Sequence, residues 1–340
     1  MDRYTAIFPA LSESETAEHL QLLIENALQN KSGSADDTLI QKRIHEEWDA
    51  MEHHNMISAV AALYDLTMWL KSKLYPYRMK YAAGSSLILY LLGITSGNPL
   101  PHNLGGFDIP WQIQWGYGRF YTTLHMALPA AHYQEILEAI PIILNKQFLI
   151  ENGYQTQING QETKELHMST VILRFELDEN TVVPEFYEKD VTPSDYSDFL
   201  KNWERYLSIE FVQCFGLPKP VCMDDLITLQ GLGASTGAVN KETILYVSNC
   251  NNSTSDMIVF RDDVYSYLFS HGFSEEDAYK GAERVGRGRG LPVITAEMEV
   301  APDKWKIAQC QKVRYLPPKA GVVETLIYKH RLFALSEAKK

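Results

Sequence analysis

A helix-rich α+β fold is what this sequence predicts, and three observations predict it. Ile40, Ile44, Trp48, Met51, Met56, Val60, Leu63, Leu66 and Leu70 recur mostly three and four apart, the spacing of amphipathic helices. The run His167 to Leu177, with Val171, Ile172 and Phe175 in it, is rich in β-branched and aromatic residues and reads as a strand. Beyond Gly216-Leu217-Pro218 the pattern turns helical again.

Taken in order, Ser14 to Leu28 has helical apolar spacing and Asn30 to Asp37 reads as a linker. Residues 1–37 are therefore expected to form an N-terminal helical adaptor and linker. Thr38 to Tyr75 is expected to hold two helices, divided at the longer step from Met51 to Met56. Lys80 to Leu92 sets a small, hydroxyl-bearing turn, Gly84-Ser85-Ser86, in front of an apolar helix. Gly105 to Tyr121, rich in glycine and aromatics, reads as loop and short strand. Tyr133 to Phe148 has a helical pattern with a kink or restart at Pro141, whose ring removes a backbone donor. Asp195 to Phe215 is helical in pattern. The expected division is 1–37, 38–215 and 216–340.

A chain of 340 residues is long enough for two cores. Its hydrophobic fraction of 45% and charged fraction of 22% are those of a folded soluble protein. The apolar run Leu87 to Ile94 falls well short of the roughly 18 residues that a membrane helix needs. The start lacks the basic and apolar regions of a signal peptide, so no membrane partner and a cytoplasmic location are expected. Cys214, Cys222, Cys250 and Cys310 are widely spaced with no C-x-x-C pair, which argues against a disulfide framework and a zinc ribbon. A net charge of −12 opposes tight, autonomous binding to DNA phosphate, though a local basic groove is compatible with it.

Several motifs carry possible chemistry. The free N–H groups at a helix start form an anion site, so Gly84, Ser85 and Ser86 beside Lys80 fit a phosphate. The same residues also make an ordinary N-cap, and both readings stand. Gly231-Leu232-Gly233 follows the helix-hairpin-helix pattern, in which a tight turn lets backbone N–H groups face a phosphate; the spacing serves equally as a plain helix connection. Lys280, Arg284, Arg287, Arg289, Lys312, Arg314 and Lys319 make the most basic part of the chain. They suit either a phosphate-facing surface or a solvated loop paired with carboxylates such as Glu275 and Glu276. His45, Asp49 and His53 fall at i, i+4 and i+8, where a solvated helix face outweighs a metal site.

Gly84-Ser85-Ser86, Leu92-Gly93-Ile94-Thr95 and Asn98-Pro99-Leu100-Pro101 together resemble the palm of PolC-type bacterial DNA polymerase III. The resemblance runs on through Gly106-Phe107-Asp108-Ile109-Pro110 and the Gly231 segment. Arg261-Asp262-Asp263, Gly286-Arg287-Gly288-Arg289-Gly290, Trp305 with Cys310, and Pro318-Lys319-Ala320 follow in the family's order, so that it spans about Ile40 to Leu335. It implies a nucleotidyltransferase-like palm followed by a helical fingers-like domain. It also implies nucleotide contacts at Lys80, Gly84, Ser85, Ser86, Arg287, Arg289 and Lys319. DNA contacts are implied at Gly231, Gly233, Arg261 and Arg314, with a replication protein as partner.

Polymerisation in this family requires two magnesium ions held by an Asp-x-Asp pair and a third acid, because magnesium prefers charged oxygen. The best register puts Thr123 and His125 at the pair's positions, and no aspartate lies between Asp108 and Asp178. Glu176 stands nearest the third acid and forms a local pair with Asp178. The family's zinc insertion and most of its thumb are missing. No catalytic residue and no cofactor are therefore expected. The leading expectation is an inactive pseudo-polymerase that keeps nucleotide or DNA binding. One alternative is a protein-interaction module without nucleic-acid binding; another is an active metal-dependent nucleotidyltransferase that uses Glu176, Asp178 and magnesium.

Overall fold

The computed structural model describes residues 4–8, 14–31, 38–53, 56–100, 121–144, 149–150, 170–178, 196–207, 219–240 and 256–338. The loop reading of residues 105–120, the Asp108 segment, Cys214 and Cys250 lie outside them. The first part holds strand β1 (Tyr4–Phe8) and helices α1 (Ser14–Lys31), α2 (Thr38–His53) and α3 (Ile57–Ser72). Strand β2 (Arg78–Lys80), a short turn over Tyr81–Ser85 and helix α4 (Leu87–Leu91) follow. Then come β3 (Tyr121–Pro129), α5 (Tyr133–Leu144), β4 (Leu149–Ile150) and β5 (Thr170–Asp178). The second part is helical: α6 (Tyr196–Lys201), α7 (Met223–Ala234), α8 (Arg261–Ser270), α9 (Glu275–Gly286), α10 (Ala296–Val300), α11 (Trp305–Lys312) and α12 (Lys319–Ala338). This is an α+β protein rich in helix.

The strands form one sheet in the order β2-β3-β5-β1-β4. β3 and β5 run parallel along their whole length, from Tyr121 opposite Thr170 to Pro129 opposite Asp178. β2 is antiparallel to β3, and β1 is antiparallel to both β5 and β4. Among the helices, α3 is buried nearly all round, and Leu63, Leu66 and Leu70 lie wholly inside. It stops at Leu74, whose positive φ of 58° turns the chain toward β2; a side chain there is sterically costly, and Leu74 is half exposed. α2 and α3 part at the long Met51-to-Met56 step, and α5 continues through Pro141 instead of restarting there.

Two hydrophobic cores form. The first joins Leu20, Ile24 and Leu28 of α1 to α2, α3, α4, β3 and α5. The second joins Phe199, Trp203, Tyr206 and Leu207 to α7, α8, α9 and Val323, Leu326 and Ile327 of α12. Two packing facts bear on the chain's first and middle parts. β1 pairs with β5 and β4 inside the sheet, and one face of α1 packs into the first core. The segment Tyr196–Lys201 joins the second core through Phe199, and Trp203 follows it in, since burying these rings stabilises the segment more than exposing them would.

Candidate functional site

The sheet gathers the residues that the sequence singles out. Lys80 of β2 pairs with His125 of β3, and His125 pairs with Arg174 of β5. Paired residues on neighbouring strands share a face, so one row across the sheet reads Lys80, His125, Arg174. Thr123 lies opposite Ile172, and Glu176 lies opposite Ala127, which itself faces Arg78 on β2. The strand of the expected acid pair and that of the third acid are thus neighbours. The first two positions, however, carry a hydroxyl and an imidazole in place of carboxylates. Magnesium is held by charged oxygens and is repelled by cations, so Thr123 and His125 do not fit it.

Ser86 begins α4, and its hydroxyl accepts the Leu89 N–H at 3.1 Å, which is the N-cap role. The remaining donors of the turn already have an anion. Glu47, from α2, reaches in from below. One carboxylate oxygen accepts the Leu87 N–H at 2.9 Å and the Arg43 guanidinium at 2.5 Å. The other accepts the Ser86 hydroxyl at 2.7 Å and the Ile88 N–H at 3.0 Å. Arg43 also donates to the Ser85 carbonyl at 2.9 Å. Glu47 is 1% exposed, Arg43 8%, and Ser85 and Ser86 have no exposure at all. Gly84 is packed from the other side, since a Cβ there would meet the Glu324 Cγ at 2.8 Å and the Ala320 carbonyl oxygen at 3.1 Å. A phosphate reaching these N–H groups would have to displace a buried ion pair.

The Gly-x-Gly turn expected at Gly231 and Gly233 is instead helix, and this corrects the hairpin reading. Both glycines lie within α7, where backbone N–H groups serve the helix ladder. Gly231 is required by packing. A Cβ there would come within 2.3 Å of the Phe260 ring and 2.7 Å of the Val259 side chain. Only the later structure around residue 260 reveals this, so no local signal marked it.

Arg261 is also turned to internal use. It donates to the Leu316 carbonyl at 3.0 Å and to Glu283 at 2.5 Å, and its guanidinium lies 6.0 Å from the Tyr315 ring centre. Glu283 holds Arg287 as well, at 2.7 Å. The acids beside Arg261 are structural: Asp262 accepts the Lys319 N–H at 3.0 Å, and Asp263 accepts the Val259 and Phe260 N–H groups at 2.7 Å each. Burial pushes Asp263 up to about 7, with the two N–H bonds acting against the rise. What remains exposed is a basic edge. Arg284, Arg287 and Arg289 end α9, and Lys312 and Arg314 lie alongside, because Gly288 packs on the Arg314 backbone and Leu316 N–H donates to the Gly286 carbonyl at 3.2 Å. Sequence spacing does not show that these two segments are neighbours.

His45 and Asp49 are 78% and 60% exposed on the outer face of α2, as a solvated face requires. The His53 side chain, and those of Thr123, Glu176 and Asp178, lie outside the described residues. Among the described residues no three His, Cys, Asp or Glu side chains are grouped to hold a metal, and no helix is long and apolar enough to cross a membrane.

Residues 18–107 match the model of the bacterial DNA polymerase III alpha NTPase domain. The chain is 30% identical over 117 residues to the PolC-type DNA polymerase III of Caldanaerobacter subterraneus, covering 34% of this chain and 8% of that one. It is 35% identical over 107 residues to the Halalkalibacterium halodurans protein of the same name, covering 30% and 7%. With that of Bacillus subtilis it shares 34% over 107 residues, again 30% and 7%. The chain thus matches less than a tenth of the length of these relatives.

Proposed function

From the kinship of the N-terminal third with PolC-type DNA polymerase III, we propose that this chain is a non-polymerising relative of that enzyme. In this reading its sheet domain is a reduced palm and its helical half a fingers-like domain. The observation that carries the proposal is the row Lys80, His125, Arg174, with Thr123 on the same strand as His125. Where a polymerase needs two carboxylates to hold magnesium, positions 123 and 125 carry Thr and His. The turn at Gly84, Ser85 and Ser86 no longer receives a nucleotide's phosphates, because Glu47 performs the same electrostatic role from within the fold.

Nucleic-acid contact is confined to the exposed basic edge of Arg284, Arg287, Arg289, Lys312 and Arg314, with Lys319 half-buried nearby. Against a net charge of −12, such an edge supports only weak, salt-sensitive contact with a phosphate backbone. The test pairs two assays. Primer extension with magnesium and all four deoxynucleotides should give no product above a no-protein control. Product that is abolished by Glu176→Gln would overturn the proposal. Anisotropy of a labelled primed duplex should show binding at low salt that weakens as salt rises and is lost in Arg287→Ala/Arg289→Ala/Arg314→Ala. Absence of binding at low salt would leave a protein-interaction module without nucleic acid, for which the inward-turned phosphate turn is the favouring observation.

A further inference from the structure

A second buried carboxylate occupies a second cluster of donors, on the seam between α12 and the segment 78–97. Glu324 is 1% exposed. One of its oxygens accepts the Ser96 N–H at 3.0 Å and the Gly97 N–H at 2.7 Å, and the other accepts the Ser96 N–H at 3.1 Å. Arg331, two turns further along the same face of α12, donates to the Ser96 hydroxyl at 2.7 Å. Arg78 of β2 donates to the Thr325 hydroxyl at 2.8 Å, and its guanidinium lies 5.4 Å from the Tyr328 ring centre. Lys329 donates to the Tyr206 carbonyl at 3.1 Å. The seat is close-fitting: a Cβ on Gly97 would meet the Ile327 side chain at 2.9 Å and the Glu324 carboxylate at 3.2 Å.

Two successive backbone N–H groups, a hydroxyl and two guanidiniums are the donor set of an oxyanion site. Two cations, Arg331 and Arg78, act on this one carboxylate. Burial pushes the Glu324 carboxyl up, and the N–H bonds and both arginines act against that rise. Crowding by Arg78 also adds to the lowering of Lys329, which burial begins. The same donors, two N–H groups and a hydroxyl held by a guanidinium, suit phosphoryl oxygens as they suit a carboxylate.

We infer that Glu324 is a tethered anion that holds closed, within the same chain, a site for a phosphoryl group formed by Ser96, Gly97, Arg78 and Arg331. The inference stands apart from the non-polymerising reading, since it concerns neither the sheet row nor the basic edge. α12 is then the closing element. Its Val323, Leu326 and Ile327 hold it to the second core, while Glu324 fills the seat in the first. Opening the seam exchanges the tethered carboxylate for a phosphoryl group from outside.

Calorimetric titration of the full chain with inorganic phosphate, at fixed ionic strength in chloride, tests this. Glu324→Ala should bind phosphate at least about tenfold more tightly than the unaltered chain, and adding Arg331→Gln should remove the gain. Glu324→Gln, which keeps one acceptor and the side-chain volume, should show a smaller gain and serves where the alanine variant does not fold. A parallel titration with a short single-stranded oligothymidylate separates the sources. A gain with inorganic phosphate assigns the site to free phosphoryl groups; a gain with the oligonucleotide alone assigns it to a nucleic-acid backbone. A folded Glu324→Gln or Glu324→Ala that binds neither better than the unaltered chain would overturn the inference and leave Glu324 a purely structural cap.

Discussion

Removing the Glu47 carboxylate should unfold the first core several degrees early. In Glu47→Ala the Ser86 hydroxyl and the Leu87 and Ile88 N–H groups lose their acceptor, and Arg43 is left charged and 8% exposed. Breaking a buried ion pair by deleting one partner costs about 3–5 kcal/mol. An orphaned buried donor costs about 1–3 kcal/mol, partly recovered here if water enters the vacated space. We expect a loss of about 4–5 kcal/mol, which for a chain of 340 residues lowers Tm by about 6–7 °C. Thermal unfolding followed by circular dichroism reads it directly. Glu46→Ala is the control, since Glu46 is 41% exposed and pairs with Lys42 only at 3.6 Å. It should stay within about 0.5 kcal/mol of the unaltered chain. Arg43→Ala/Glu47→Ala should cost clearly less than the sum of its parts, because it removes both charges together. A fall of less than about 2 °C in Glu47→Ala would refute the reasoning, since the donors would then be satisfied without Glu47.

Other consequences follow from the same geometry. Gly231→Ala should destabilise by about 1–3 kcal/mol through collision with Phe260, despite alanine's better helix propensity. Gly233→Ala, exposed in the same helix, should be neutral or mildly stabilising; the reverse order in chemical denaturation would restore a turn role for Gly231. Asp263 is pushed up to about 7 against an ordinary 3.8, so the native state holds a proton that the unfolded chain releases. Its contribution is therefore fully present below about pH 4 and is lost as pH rises through 7, and Asp262 and Glu324 shift in the same direction. Asp263→Asn, which keeps the acceptor for Val259 and Phe260, should flatten the fall in Tm between pH 5 and pH 8; an unchanged slope would count against it. Cys310 is fully buried and its thiol is pushed up to about 12 by burial, whereas Cys222 is exposed. Iodoacetamide should label Cys222 in the native protein and reach Cys310 only on unfolding, which peptide mapping would verify.

Legibility in the sequence followed the range of the forces involved. The helices of residues 38–72 are readable because their apolar residues share one face within a few turns, and Ser86 as an N-cap is a contact over three residues. That Thr123 and His125 are not carboxylates is readable, since that is a matter of residue type. What fills the Ser86 turn is not readable: Glu47 lies some forty positions earlier and looks like one more acid on an amphipathic helix. Gly231 misleads for a similar reason. A glycine needed for a turn and one needed to admit the Phe260 ring are the same letter, and only the tertiary contact separates them. A carboxylate partner for the arginines is foreseeable, but the sequence suggests Glu275 or Glu276, and only the fold shows that Glu283 holds both Arg261 and Arg287.

The place of β1 has a consequence for how the chain acquires its shape. Its register pairs Phe8 with Val171 and Tyr4 with Phe175, so among the described strands β1 waits for β5, the most distant of them in sequence. At ordinary rates of synthesis that wait lasts about 10–35 s. Closing so long a loop comes late in folding, because its entropic cost falls due before any of the sheet's contacts repay it. The sheet should thus be the last part of the first core to become resistant to amide exchange, and α2 and α3, whose contacts are local, the first.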